Sequence, residues 1–226
     1  MIINTTTKAL QLIRELLSDP VDFENRGRGN ELLQFYGDGI SLDSLLPLLS
    51  HHHVSVRGTA MFVAAELGVR GRPLVDAIAP LVDDSDSHIA WDAMESIFLC
   101  TTDTFMERFV VVVKQLGNSS RPLRHLAMRL ISKADLAQLL GARSRCEELG
   151  EDALVHAKCL QILIDSESGE GRNVREMLDS NIELVRLYGA IAANRLYRMH
   201  PELLEYAASN SNQDVGMFAT EALDVK

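Results

Sequence analysis

Val56-Arg57-Gly58-Thr59-Ala60-Met61-Phe62-Val63-Ala64-Ala65-Glu66-Leu67 is the stretch on which the fold turns. An aliphatic residue opens it, a small one stands four positions later, and further apolar residues follow at seven, eight and eleven. With Val56 as position 0, these positions share one face of an α-helix, because about 3.6 residues per turn brings i, i+4, i+7, i+8 and i+11 together. The small residue at position 4 lets a neighbouring helix come close.

The pattern recurs along the chain. Further copies begin at Ile89 (Ala93, Ile97, Cys100), Leu123 (Ala127, Leu130, Ile131), Ala153 (Ala157, Leu160, Ile164), Val185 (Gly189, Ala192, Ala193, Leu196) and Val215 (Ala219, Ala222, Leu223). Successive starts are 33, 34, 30, 32 and 30 residues apart, an even spacing that marks an internal repeat. A shorter apolar helix is predicted before each copy, at Leu42–Leu49, Leu74–Val82, Phe105–Leu116, Leu136–Leu149, Val174–Leu178 and Pro201–Ala208. Turn and capping residues separate the two, among them Ser50–Ser55, Asp83–Ser87, Gly117–Arg121 before Pro122, and Ser209–Asp214. The unit is helix, turn, helix. One such hairpin cannot bury its apolar face alone, and stacking on its neighbours supplies the missing surface.

Leu45-Leu46-Pro47-Leu48-Leu49, a polar break, and then Val56-Arg57 with Ala60 resemble the HEAT and armadillo-like repeats, closer to their short bacterial form. The resemblance spans residues 41–225. It implies an all-α fold, an α-solenoid (α/α superhelix) of about six helical-hairpin HEAT-like repeats. The copies at Leu123 and Ala153 depart most from the pattern. Residues 1–40 are less regular, with an amphipathic helix predicted over Thr6–Ser18 (Leu10, Ile13 and Leu17 on one side), a shorter one over Asn30–Tyr36, and loops at Asn25–Asn30 and Gly37–Gly39. They read as an N-terminal helical cap that closes the first repeat and is continuous with the array of residues 41–226.

Composition narrows the function. The 226 residues carry 22 Lys and Arg against 32 Asp and Glu, a formal net charge of -10, with a pI near 5.1. The basic residues are scattered, and the clustered basic stripe that wins counterion release from nucleic acid is missing. The acidic balance favours a basic protein partner. Cys100, Cys146 and Cys159 form no CxxC or paired framework and read as reduced thiols of a cytoplasmic protein. Phe109–Val113, the longest apolar run, falls far short of the about 20 residues of a membrane span, and no basic stretch followed by an apolar one marks the start as a secretory signal. No oligomeric state follows from the sequence.

Catalytic signatures do not emerge, and no catalytic residue, cofactor or metal site is assigned. Gly27 and Gly29 begin something like GxGxxG, but Leu32 replaces the last glycine and no strand precedes it. His51-His52-His53 lie in the first repeat's turn, with His88 in the matching turn of the next; contiguous side chains point apart, so a solvated turn is the expectation rather than a metal site.

If positions 0, 4, 7, 8 and 11 are buried, positions 2, 5 and 9 face the concave groove. They include Trp91, Met94, Phe98, His125 and Met128, an apolar set holding the only tryptophan. Trp and Met are enriched at adaptable binding surfaces, so Trp91, Met94, Phe98 and Met128, bordered by Asp92, Glu95, His125 and Arg129, form the candidate partner-binding patch. The competing reading places the same stripe in the core between repeats. Arg57, Arg124 and Arg186 share position 1 and are expected to pair with carboxylates of adjacent repeats, while Asp83-Asp84-Asp86 and Glu147-Glu148-Glu151-Asp152 lie at turns along one edge.

The functional expectation is a non-enzymatic protein-binding module that takes a basic partner in its groove, with an immunity protein neutralising a bacterial toxin as the favoured case. The alternatives implied by the resemblance are a HEAT-like tetrapyrrole (bilin) lyase or chaperone, for which Trp91 and Phe98 offer stacking surfaces, and a structural subunit of a larger assembly.

Overall fold

The computed structural model describes residues 2–166 and 171–225, and among them there is no strand. Three helices come first: α1 (Ile2–Ser18), α2 (Pro20–Asn25) and α3 (Gly29–Gly37). Six pairs follow: α4 (Leu46–Leu49) with α5 (Val54–Glu66), α6 (Val75–Ile78) with α7 (Ser87–Cys100), α8 (Val110–Lys114) with α9 (Arg121–Lys133), α10 (Leu136–Glu148) with α11 (Leu154–Ser166), α12 (Arg172–Leu178) with α13 (Glu183–Arg195), and α14 (Pro201–Ala208) with α15 (Gln213–Asp224). Each pair matches one copy of the sequence repeat. The helix α2 was not anticipated, although Asp19-Pro20 announces it: the Asp19 carboxylate accepts the Asp22 N–H and Pro20 supplies the first helical φ.

The first helices of the early repeats are shorter than the sequence pattern predicts. Pro47, Pro73 and Pro80 interrupt backbone hydrogen bonding, and the chain there alternates α turns with 3-10 turns at Leu42–Ser44, Gly68–Leu74 and Ala79–Asp83. In the third repeat the β-branched run Val110–Val113 is flanked by 3-10 turns in the same way.

Five of the turns before the second helices share a two-step cap. Counting from position 0, the side chain at position -5 accepts the backbone N–H at -3: His51 Nδ1 from His53 (3.1 Å), Asp84 Oδ1 from Asp86 (2.9 Å), Asn118 Oδ1 from Ser120 (2.7 Å), Ser180 Oγ from Ile182 (3.2 Å) and Asn210 Oδ1 from Asn212 (2.9 Å). Where position -3 also carries an acceptor, it caps the helix itself, as His53 does for the Ser55 N–H, Asp86 for His88 and Asn212 for Asp214 and Val215. The histidine run is therefore a capping turn built on the Nδ1 atoms of His51 and His53. Asp84 and Asp86 are likewise caps, which removes them from the expected acidic edge. The Asp152 side chain of the other acidic cluster lies outside the described ones.

The arginines at position 1 complete these turns. Arg57 donates to the His51 and His52 carbonyls (2.9 Å each), Arg124 to Asn118 (2.5 Å) and Arg186 to Ser180 (2.7 Å). The Arg57 fork also grips Asp84 of the next repeat, Nε to Oδ2 at 2.7 Å and Nη2 to Oδ1 at 3.0 Å, as expected of an adjacent-repeat pair. These hydrogen bonds hold the Asp84 carboxyl below its ordinary range against the opposing effect of burial. Arg124 departs from the expectation: with Arg121 it pairs to Asp214, 90 residues away. Burial pushes the Asp214 carboxyl up, and the two guanidiniums outweigh it.

The chain divides into two compact units, residues 1–100 and 101–226. In the first, α2, α3 and α4 pack on α5, and α5 packs on α7. In the second, α13 is the hub, with α9, α11, α12, α14 and α15 around it. Residues 187–193 are consequently buried without a break, which a helix facing solvent on one side would not show. Gly189, at position 4, admits α12 so closely that a Cβ there would stand 2.9 Å from Leu178 N. Strict neighbour-to-neighbour stacking fails here, because α9 packs on α13 and α15 while α10 packs against α8 and the 3-10 turn at Met106–Phe109. Gly141 permits that last contact: a Cβ would lie 2.6 Å from the Met106 backbone. This is where the third and fourth copies depart from the sequence pattern.

Candidate protein-binding surfaces

The predicted core face holds in the first three second helices, where positions 0, 4, 7, 8 and 11 are all buried. The opposite face differs from prediction at one position. Met61, Met94 and Met128, all at position 5, have no exposed surface. At about 100° per residue, position 5 falls on the helix flank, whereas 2, 6 and 9 lie opposite the core stripe. Met94 and Met128 therefore belong to the interior, and Glu95 and Arg129, at position 6, take their place on the outer face.

On α7 that face carries Trp91, Glu95 and Phe98, with Asp92 beside them, all four half-buried. Burial raises the Asp92 carboxyl above its ordinary range, and the negative charges of Glu95 and Glu66 raise it further, while His88 opposes them. Among the described residues no hydrogen bond or ion pair reaches the carboxylates of Asp92, Glu95 or Glu66. Three carboxylates that no lysine or arginine pairs among the described residues, beside an indole and a phenyl ring, form a surface that an added positive group would stabilise.

His125 and Arg129 lie in the second unit, on α9. His125 Nε2 meets Glu221 Oε2 of α15 at 2.8 Å and its ring stacks edge-on to Phe218, centroids 5.8 Å apart. Arg129 is exposed. Both border a cleft of about 370 Å³ between α9, α13 and α15, whose walls include Ser132, Lys133, Asn194 and Phe218. Nothing in the repeat pattern singled out this cleft, because its α9 wall is about 60 to 100 residues away in sequence from its α13 and α15 walls. The long-range pairing of Arg121 and Arg124 with Asp214 holds α15 against α9 there.

No protein-family model matches the chain, and no curated protein sequence does so significantly. Solved structures do. An engineered protein from a structural genomics programme superposes with a TM-score of 0.50 at 14% identity, covering 96% of this chain and 67% of that one. A designed armadillo repeat protein, solved in complex with the peptide (KR)4, superposes with a TM-score of 0.50 at 18% identity, covering 95% of this chain and 97% of that one. The fold is an armadillo/HEAT-like α-solenoid. Folds of this kind commonly mediate protein binding.

The solenoid's interior holds its other reactive groups. His156 Nδ1 hydrogen-bonds the Tyr188 hydroxyl at 2.9 Å between α11 and α13, and burial lowers its pKa to about 4, with Lys114 adding to the effect. Cys100, Cys146 and Cys159 are buried free thiols, and burial pushes Cys146 and Cys159 up to about 11. Thiols held protonated in this way are packing groups rather than nucleophiles. Among the described residues no three His, Cys, Asp or Glu side chains are placed to share a metal ion, and no helix is long and apolar enough to cross a membrane.

Proposed function

We propose that the protein is a non-enzymatic binding module that takes a basic segment of a partner protein on the α7 face, through Trp91, Asp92, Glu95 and Phe98. The observation that carries this reading is the unpaired carboxylate group of Asp92, Glu95 and Glu66 beside two half-buried aromatic rings. A lysine or arginine entering there gains charge-assisted hydrogen bonds and an aromatic face together, and relieves the mutual repulsion of the carboxylates. The net charge of -10 steers basic partners toward the chain at low salt. The designed armadillo repeat structure that shares the fold was solved with the peptide (KR)4, which is consistent with such an occupant. Among basic protein partners, a cationic toxin neutralised by an immunity protein is the case this charge pattern favours.

The test is titration of the full chain with a labelled octapeptide of alternating Lys and Arg, followed by anisotropy and by fluorescence of Trp91, the only tryptophan. Trp91→Ala and the pair Asp92→Asn with Glu95→Gln should each weaken binding about tenfold or more, a loss of about 1.4 kcal/mol. Melting temperatures should change little, since removing like charges three residues apart on a helix is worth only about 0.2–0.5 kcal/mol in the stabilising direction. Unchanged affinity in both variants would defeat the proposal, and a large fall in the melting temperature of Trp91→Ala would assign that ring to the core.

A further inference from the structure

The cleft between α9, α13 and α15 has the opposite electrostatic character from the chain that contains it. Arg129 and Lys133, one turn apart on α9, border it, and neither guanidinium nor ammonium has a hydrogen bond or ion pair among the described residues. Several other arginines of this unit are committed. Arg121 and Arg124 hold Asp214, Arg143 and Arg145 pair with Glu147 and Glu148, and Arg195 donates to the Ile131, Ser132 and Ala134 carbonyls at the end of α9. In a chain with ten more acidic than basic residues, two unclaimed cations converging on one hollow are the groups in want of a partner. A third polar group is also unfulfilled: His125 gives Nε2 to Glu221, while its buried Nδ1 has no hydrogen-bond partner.

We propose that this cleft binds an acidic peptide segment, with a carboxylate side chain bridging Arg129 and Lys133 and an adjacent apolar side chain against Ala222 and Val225. Groups four residues apart on a helix lie side by side, a spacing that suits one carboxylate accepting from both. Glu221 stands in the same wall and penalises a dianion such as phosphate more than a singly charged carboxylate. Ser132 and Lys133 also line a second hollow of about 410 Å³ whose walls include Leu196 and Met199, and two neighbouring hollows suit a peptide better than a single small molecule. The site shares no residue with the α7 surface and has the opposite charge preference, so either proposal stands without the other.

Fluorescence anisotropy of the full chain with a labelled, capped octapeptide of alternating Glu and Leu tests it. At low salt binding should be saturable and should weaken as salt rises, because both cations are exposed to screening. The double variant Arg129→Glu with Lys133→Gln should weaken it about tenfold or more, Arg129→Gln alone should lose less in the same direction, and Trp91→Ala should leave it unchanged. Neither altered side chain makes a hydrogen bond or ion pair among the described residues, so the circular dichroism spectrum should match that of the parent. Absence of saturable binding by the parent chain, or equal binding by the double variant, would overturn the proposal. Displacement of the peptide by free glutarate as readily as by unlabelled peptide would replace the peptide site with a small-carboxylate site and overturn it equally.

Discussion

Acidification should destabilise this protein chiefly through His156, before the arginine-held carboxylates of Asp84 and Asp214 take part. His156 is 8% exposed, its Nδ1 is tied to the Tyr188 hydroxyl, and burial lowers its pKa from 6.5 to about 4. The unfolded chain therefore takes up the proton first. The stabilisation is whole above pH 6.5 and is lost as the pH falls from 6.5 toward about 4. A difference of about 2.5 units at 1.36 kcal/mol each makes the loss about 3 kcal/mol, a large share of an ordinary domain's stability. Asp84 and Asp214, whose carboxyls are held low by arginines, contribute stability that is lost as the pH falls through and below the ordinary carboxylate value of 3.8, so their window follows that of His156. His51 is also lowered, by burial and by His52, His53 and Arg57, and shares the upper window. The variant His156→Gln isolates the effect: it keeps a polar group facing Tyr188 and cannot titrate. Urea unfolding of both proteins, followed by circular dichroism between neutral pH and pH 4, should show the parent losing about 3 kcal/mol more than the variant. Parallel curves would refute the reasoning, as would an NMR titration in which the His156 ring protonates near pH 6.5.

Two further substitutions probe the packing. Gly189→Ala should destabilise by about 1–3 kcal/mol in the same unfolding assay, because the added methyl meets the Leu178 backbone, although helix propensity alone favours alanine by about 1 kcal/mol; a net gain would show that α12 does not approach so closely. Arg57→Ala should cost about 3 kcal/mol by stranding Asp84, whose side chain is 4% exposed, whereas Arg186→Ala, which loses only its bond to the Ser180 carbonyl, should cost about 1 kcal/mol. Equal losses at the two positions would remove the case for the Arg57–Asp84 pair as the stronger clamp.

Much of the architecture was legible in the amino-acid order. The spacing of Val56, Ile89, Leu123, Ala153, Val185 and Val215 located all six second helices, and the core face at positions 0, 4, 7, 8 and 11 followed from helix geometry, because both are local properties repeated often enough to rise above chance. The first helices were less legible, since Pro47, Pro73, Pro80 and the valine run fragment them without erasing their apolar character. The His51-His52-His53 run concealed its role for a different reason. A capping function shows in the equivalence of Asp84, Asn118, Ser180 and Asn210 at the same position, four side chains whose common property is an acceptor and not their name.

The candidate site divides along the same line. Trp91, Asp92, Glu95 and Phe98 share one face of α7 by helical spacing alone, and sequence placed them together. Tertiary structure alone buried Met94 and Met128, since a residue on the flank of a helix is exposed or covered according to what packs beside it. It also joined Arg121 and Arg124 to Asp214 and opened the cleft beside Arg129 and Lys133. Helical periodicity reaches only a few residues along the chain, whereas the choice of which distant helix to pack against is made by the summed burial and charge pairing of whole surfaces.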